Sequence, residues 1–306
     1  MKAIITGGCG FIGSHLVDSL LDQGVYPIIY DNFSTGNLEN LNNCQEQIKV
    51  ISGDIRDLDT LQRTIKNVDW VFHLAAHSSV SGSLANPLLT HEINNTGTLN
   101  VLWAALQAKV SRVVIASSCS VYGDIHQPPL QETYLPDPKS PYAASKLTAE
   151  ALAESFYYSY GLETVCLRYF NVYGSRQRAD SDYAAVIPRF IECYHQKKPP
   201  KIYGTGQQSR DFIHVSDVAR ANILAATLPS SILKKYRIFN IGTGNKTNLV
   251  ELLNLISKQT NYYLEPTFLP SRQGEIEHSC ADISLSQEKL DFQPLISLEE
   301  GIKSLL

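Results

Sequence analysis

Short runs of β-branched and apolar residues recur through the first half of the chain, at Ala3–Thr6, Pro27–Tyr30, Lys49–Ser52, Val68–His73, Arg112–Ser117 and Glu163–Arg168. Between them lie stretches of helical character, at Ile12–Gln23, Leu58–Lys66, Ile93–Ala108 and Tyr142–Tyr160. Strand alternating with helix predicts an α/β fold, a doubly wound parallel sheet covered by helices on both faces. The last helix has the clearest start: Ser140 can cap it, Pro141 suits the first turn, and alanines and leucines fill the later turns. Ligands of such sheets bind outside the carboxyl ends of the strands. The residues just after each apolar run are therefore the ones to read for chemistry.

After the first run comes Thr6-Gly-Gly-Cys-Gly-Phe-Ile-Gly13. Gly7, Gly10 and Gly13, with Phe11 and Ile12 opening the helix, allow a tight turn and a close backbone approach to a pyrophosphate. Asp31 ends the second run and can accept both ribose hydroxyls of an adenosine; a 2′-phosphate would be repelled, which favours NAD over NADP. Asp31-Asn32 also reads as a plain turn. Asp54 after the third run can accept an adenine amino group, with Ile55 packing on the ring. Leu74, Ala75 and Ala76 come after the fourth run and let the strand end pass close to a cofactor, whereas His73 reads as a satisfied core histidine.

Tyr142 and Lys146 stand one helical turn apart and project from the same face. The ammonium is expected to pull the phenol below its usual pKa of about 10. With Ser118 upstream, these are the parts needed to interconvert an alcohol and a ketone. Ser117 is a near alternative to Ser118.

At 306 residues, with 43% hydrophobic and 18% charged residues, the chain is an ordinary globular protein of one large domain or two small ones. A net charge of −4 gives no footprint for nucleic acid, and the cluster Lys197, Lys198, Lys201 reads as a solvated loop. Six scattered cysteines without Cys-x-x-Cys spacing, and no signal segment or membrane-length apolar run, point to reduced thiols and a cytoplasmic location. No His, Cys and carboxylate spacing suggests a metal.

Taken together these residues resemble the extended short-chain dehydrogenase/reductase family acting on nucleotide sugars, and most of all its UDP-hexose 4-epimerases. The resemblance runs through nearly the whole chain. It rests on the glycine motif, Asp31, Asp54-Ile55, Asn94 before Gly97-Thr98, Ser117-Ser118 with Val121-Tyr122-Gly123, and Tyr142-x-x-x-Lys146. It continues through Arg168-Tyr-Phe-Asn171, Arg210-Asp-Phe-Ile-His-Val215, Asn240-Ile-Gly-Thr-Gly244 and Arg272-x-Gly-Glu275. It implies a Rossmann-type domain over 1–171 plus about 212–241, and a smaller nucleotide-sugar lobe over about 172–211 plus 242–306. Ser118, Tyr142 and Lys146 are then catalytic, Asn94 supports the active-site helix or the cofactor, and Tyr169 joins the cofactor contacts. Asn171, Arg210 and Arg272 are implied for the diphosphate, Glu275 for the nucleoside ribose, and Val186 and Tyr203 for the base. Tyr203 also reads as core, and Arg210 as an ion pair with Asp211. A homodimer through helices 93–108 and 142–160 is implied as well.

The resemblance leaves several reactions open. Dehydratases of the family carry Asp-Glu after the catalytic Ser/Thr, and decarboxylases a Glu two residues before the Tyr of Val-Tyr-Gly; here those positions hold Cys119 and Ser120. With no added acid, epimerisation at carbon 4 fits what remains. Cys119 reads as a small buried residue on the far side of an extended strand end. Ser279 aligns with the family's gate beside the hexose 2-substituent, and a small residue there implies that UDP-GlcNAc/UDP-GalNAc are accepted, beside UDP-Glc/UDP-Gal. Residues around Ser78, Ser81 and Gly82 depart from the family. A reductase or dehydrogenase of the same fold, or an NAD-sensing protein without activity, are the rival readings.

Overall fold

The structure, a computed structural model, describes residues 1–178, 185–271 and 277–306. Seven parallel strands form the central sheet: β1 (Lys2–Thr6), β2 (Tyr26–Asp31), β3 (Lys49–Ser52), β4 (Trp70–His73), β5 (Arg112–Ser118), β6 (Thr164–Tyr169) and β7 (Ile238–Ile241). Their spatial order is β7-β6-β5-β4-β1-β2-β3. The order reverses between β1 and β4, and the crevice at that switch point is where such sheets bind ligands. The first six strands lie on the six apolar runs. β4 starts two residues later than predicted, and β6 one residue later.

Helices cover both faces, because each strand is apolar on both sides. On one face α1 (Phe11–Asp22) packs beside a later helix, Val215–Thr227, over Ala3, Ile5, Ile29, Phe72 and Val114. On the other, α2 (Leu58–Thr64), α3 (Gly97–Gln107) and α4 (Pro141–Tyr160) cover Ile4, Tyr30, Val71, Val113 and Ile115. The predicted helix 93–108 is α3 preceded by a wide π turn at Glu92–Thr96. α4 begins as the sequence indicates: Ser140 accepts from the Ala143 N–H, Pro141 comes next, and Gly161 ends the helix in the left-handed region.

A second core gathers Tyr173, Phe190, Ile202, Phe212, Leu252, Leu253 and Ile302. It holds α5 (Val186–Gln196), α6 (Val215–Thr227) at its border and α7 (Leu249–Thr260). Leu290 and Phe292, expected in the smaller lobe, belong instead to the core of the sheet. The chain thus returns to the first core before Leu298 and Ile302 close the second.

Candidate active site

At the switch point the backbone of Gly7 runs against the end of β4. A Cβ on Gly7 would sit 2.8 Å from the Ala75 nitrogen, and its φ of +73° is a conformation that favours glycine. A Cβ on Gly13 would strike the Gly7 carbonyl. Gly10 is the N-cap of α1, with no side chain covering the first turn. The free N–H groups of Phe11, Ile12 and Gly13 at a bare helix start suit a diphosphate.

Asp31 is buried and ties this loop to the end of β2. Its carboxylate accepts from the N–H groups of Cys9 (2.9 Å) and Phe33 (2.8 Å). The turn expected at Asp31-Asn32 is therefore present, and each carboxylate oxygen keeps lone-pair capacity for a ribose hydroxyl. Asp54 accepts from Asn32 (2.9 Å) and from the Arg56 fork, which holds its carboxyl well below the usual range. Ile55 departs from expectation. Its side chain is turned into the core against Gly97 rather than left to cover a ring, because the π turn and α3 pack down on it. His73 is a satisfied core histidine, bonded to Thr6 (2.8 Å) and Thr98 (2.9 Å). Burial pushes its pKa down to about 3.

Tyr169, too, has its side chain engaged in the core. Its ring lies in the core of the sheet and its hydroxyl donates to Asn222 at 2.9 Å, leaving its backbone at the end of β6 for any cofactor contact.

β5 delivers the serines. Strand alternation sends Ser117 inward, where its hydroxyl donates to Glu150 at 2.5 Å. Glu150 is itself paired with the buried Arg168 at 2.7 Å. That commitment removes Ser117 as an alternative and leaves Ser118 on the open side. Ser118 stands beside the Tyr142 phenol, on whose titration it acts, and accepts from the Ser120 N–H at 3.2 Å. This bond caps a 3-10 turn, Cys119–Tyr122, which begins one residue after Ser118.

The turn overturns the expectation for Cys119. Because the extended strand stops at Ser118, Cys119 does not continue the alternation. Its half-buried thiol comes beside Ser118, Ser279 and the Tyr142 phenol, with burial pushing it up to about 11.

Lys146 is buried, with Nζ 2.8 Å from the Ala116 carbonyl and 5.8 Å from the Tyr142 ring centre. Burial lowers its pKa to about 8, opposed by Cys166 and Glu150. The tyrosine does not behave as the sequence suggested. Burial raises the Tyr142 phenol to about 12, and only Ser118 pulls it back. Desolvation wins because the phenol is buried while the ammonium is spent on the Ala116 carbonyl. Asn94, in the π turn, donates to Ser145 (2.8 Å) and accepts from the His77 N–H (2.7 Å), so it pins α4 to the end of β4.

In the smaller lobe, Asn171, Val186, Tyr203 and Arg210 line one cavity of about 450 Å³, a volume suited to a small molecule. Asp211, read from the sequence as an ion-pair partner of Arg210, is turned to backbone and hydroxyl donors instead. It is buried, and its carboxylate accepts from Thr243 N–H (2.8 Å), Thr243 Oγ1 (2.6 Å), Gly244 N–H (3.0 Å) and Ala281 N–H (3.1 Å). It fastens the separated segments at Thr243-Gly244 and Ala281 to its own, a role the motif spacing did not reveal. Ser83, whose hydroxyl receives the Tyr142 N–H at 3.1 Å, was missed as well. Ser279 is buried, its N–H bonded to the Ser209 carbonyl at 3.1 Å. Arg272 and Glu275 lie outside the described residues. Among the described residues no group of His, Cys, Asp or Glu is placed to hold a metal ion, and no helix is long and apolar enough to cross a membrane.

Hydride exchange between a dinucleotide and an alcohol carbon is the class of chemistry for which this end of the sheet is arranged. Comparison with known proteins agrees. The sequence profile of the NAD dependent epimerase/dehydratase family matches residues 3–242. A putative UDP-glucose 4-epimerase of Methanocaldococcus jannaschii is 38% identical over 305 residues, covering 99% of this chain and 96% of its own. Among solved structures, a UDP-N-acetylglucosamine 4-epimerase from Methanobrevibacter ruminantium, in complex with UDP-N-acetylmuramic acid, is 42% identical with a TM-score of 0.93. It is matched over 99% of this chain and 96% of its own. A UDP-glucose 4-epimerase of Thermotoga maritima with UDP-glucose is 37% identical, with the same TM-score and the same coverage. The chain belongs to the NAD dependent epimerase/dehydratase family, and its cofactor is NAD.

Proposed function

We propose that the enzyme epimerises carbon 4 of a UDP-hexose through a transient 4-keto sugar, and that UDP-GlcNAc/UDP-GalNAc are among its substrates. The observation that carries the reading is the composition of the ground around Tyr142. Among the described residues the side chains acting on the phenol are Ser118 and Cys119, and neither is a carboxylate. A dehydratase or decarboxylase has to move protons at a second carbon, and the Cys119 thiol beside the phenol, pushed by burial up to about 11, is a poor base for that. The proton of one hydroxyl and one hydride are all this set can exchange.

NAD supplies, when bound, the hydride-accepting ring. The chain does the rest. Gly7, Gly10 and Gly13 with the start of α1 would hold the diphosphate, and Asp31 the adenosine ribose. Ser118 bridges the 4-hydroxyl to Tyr142, which takes its proton. Lys146, held by the Ala116 carbonyl, keeps a positive charge on this side of the ring. The nucleotide stays in the cavity of Asn171, Val186, Tyr203 and Arg210 while the hexose turns and presents its other face. Arg272 and Glu275 are proposed to complete that grip. The small Ser279 leaves room for an N-acetyl group at carbon 2.

The reading is tested by Tyr142→Phe. Turnover should fall by roughly 10²–10⁴-fold, while the purified variant retains NAD at the wild-type ratio. Turnover close to wild type would remove Tyr142 from the chemistry.

α3 and α4 also expose large apolar side chains, Leu99 and Trp103 on one and Tyr158 and Tyr160 on the other. We take these as the face of a homodimer.

A further inference from the structure

The sites described so far occupy the carboxyl ends of the strands. At the opposite end an open cleft of about 670 Å³ lies between the starts of β1, β2 and β3 and the helix α2. Tyr26 begins β2 and Asp31 ends it, so the cleft is roughly 17 Å from the ribose-facing carboxylate at about 3.4 Å per residue.

Cations from three elements converge on this cleft: Lys2 on β1, Lys49 on β3, Arg63 on α2, and Lys66 just beyond it. Among the described residues no Asp or Glu lines it. None of the four side chains is in a salt bridge among the described residues. Of the neighbouring carboxylates, Asp69 accepts the backbone N–H of Lys2 at 2.8 Å, and Asp57 accepts the Thr60 hydroxyl at 2.5 Å while also interacting with the Arg63 charge. Thr60 in turn receives Arg63 Nη2 at 2.8 Å, which steadies the guanidinium at the rim.

Four like charges around a concavity, in no salt bridge among the described residues, repel one another, and this happens in a chain whose net charge is −4. A multiply charged anion relieves that repulsion. The floor is of a different character: Ile28 is buried, Ile51 half-buried, and the ring of Tyr26 is 41% exposed. Thr64 and Asn67 add neutral hydrogen-bonding groups at the edge. An apolar floor with an open aromatic ring suits a flat organic group, and the cleft has the size of a small-molecule site.

We propose that this cleft is a second, non-catalytic site that takes an organic polyphosphate carrying a planar ring, with the phosphates among Lys2, Lys49, Arg63 and Lys66 and the ring on Tyr26. The proposal stands apart from the epimerase reading. The test is isothermal titration of the enzyme with ATP, in saturating NAD and UDP-GlcNAc so that the sites at the other end are filled. One equivalent of ATP is expected to bind. Lys49→Glu with Arg63→Glu should weaken it at least about ten-fold and leave kcat/KM unchanged; Lys49→Gln with Arg63→Gln should weaken it less. Inorganic tripolyphosphate should bind more weakly than ATP, with the difference abolished by Tyr26→Ala. Absence of saturable ATP binding at millimolar concentration, or binding unchanged in the double variants, would overturn the site. Equal affinity for tripolyphosphate would overturn the role given to the ring. Because the substitutions lie at the far end of the sheet, a wrong assignment of the sugar nucleotide does not alter these outcomes.

Discussion

Tyr142 illustrates how two adjacent facts can oppose each other. The spacing to Lys146 says that an ammonium is near, and it is, but the phenol is desolvated and stands at about 12. At neutral pH it therefore holds its proton in this structure, and its readiness to accept one has to come from the loaded site. Glu150 stands four residues beyond Lys146, the same spacing that revealed the Tyr142–Lys146 pair, and it could have been found in the same way. It sits with Arg168 in a fully buried pair. Glu150→Gln leaves the guanidinium uncompensated and is expected to cost roughly 3–5 kcal/mol in urea unfolding. His73 provides a pH test. Its pKa is about 3 when folded, chiefly through burial and then the charge of Lys146, against 6.5 when unfolded. Between those values the unfolded chain binds the proton and the folded one does not, so the stability due to neutral His73 is complete above pH 6.5 and is lost as pH falls toward 3. His73→Gln should therefore lose less of its urea midpoint than wild type between about pH 6.5 and 4.

Among the elements, those with a strong local signal were legible: the six strands, α1 from its glycines, and α4 from Ser140 and Pro141. What escaped were places where one element stops and another starts. The 3-10 turn at Cys119 begins a residue after Ser118 and moves a thiol from the expected far face into the site. The π turn at Glu92–Thr96 inserts before α3 and turns Asn94 toward α4. Neither leaves a period in the sequence, because each is fixed by a hydrogen bond to a distant or capping group. The Gly7 turn, by contrast, was readable and is strict. Gly7→Val places carbon atoms against the Ala75 backbone and is expected to yield protein with far less bound NAD, measured by absorbance after denaturation. At the segment around Ser279, Ser279→Tyr should remove activity on N-acetylated sugars by at least about ten-fold while sparing UDP-Glc. Equal loss on both would place the selectivity elsewhere.

For the whole molecule, the sequence motifs led to one place in the second core, since a single cavity gathers Asn171, Val186, Tyr203 and Arg210. The path of the chain between the two cores was less legible. Leu290 and Phe292 rejoin the first core through contacts that no local pattern announces. The exposed Trp103 and Tyr160, edge to face with ring centres 6.5 Å apart, carry the expectation of a dimer, and Trp103→Glu should shift the mass in light scattering to a monomer. The most direct measurement is to incubate the purified enzyme with UDP-GlcNAc, without adding NAD, and to resolve the products by epimer. Formation of UDP-GalNAc to a constant ratio, reached equally from either sugar and with no net NADH released, is expected. A requirement for stoichiometric added cofactor, or a product that has lost water or carbon dioxide, would refute epimerisation at carbon 4.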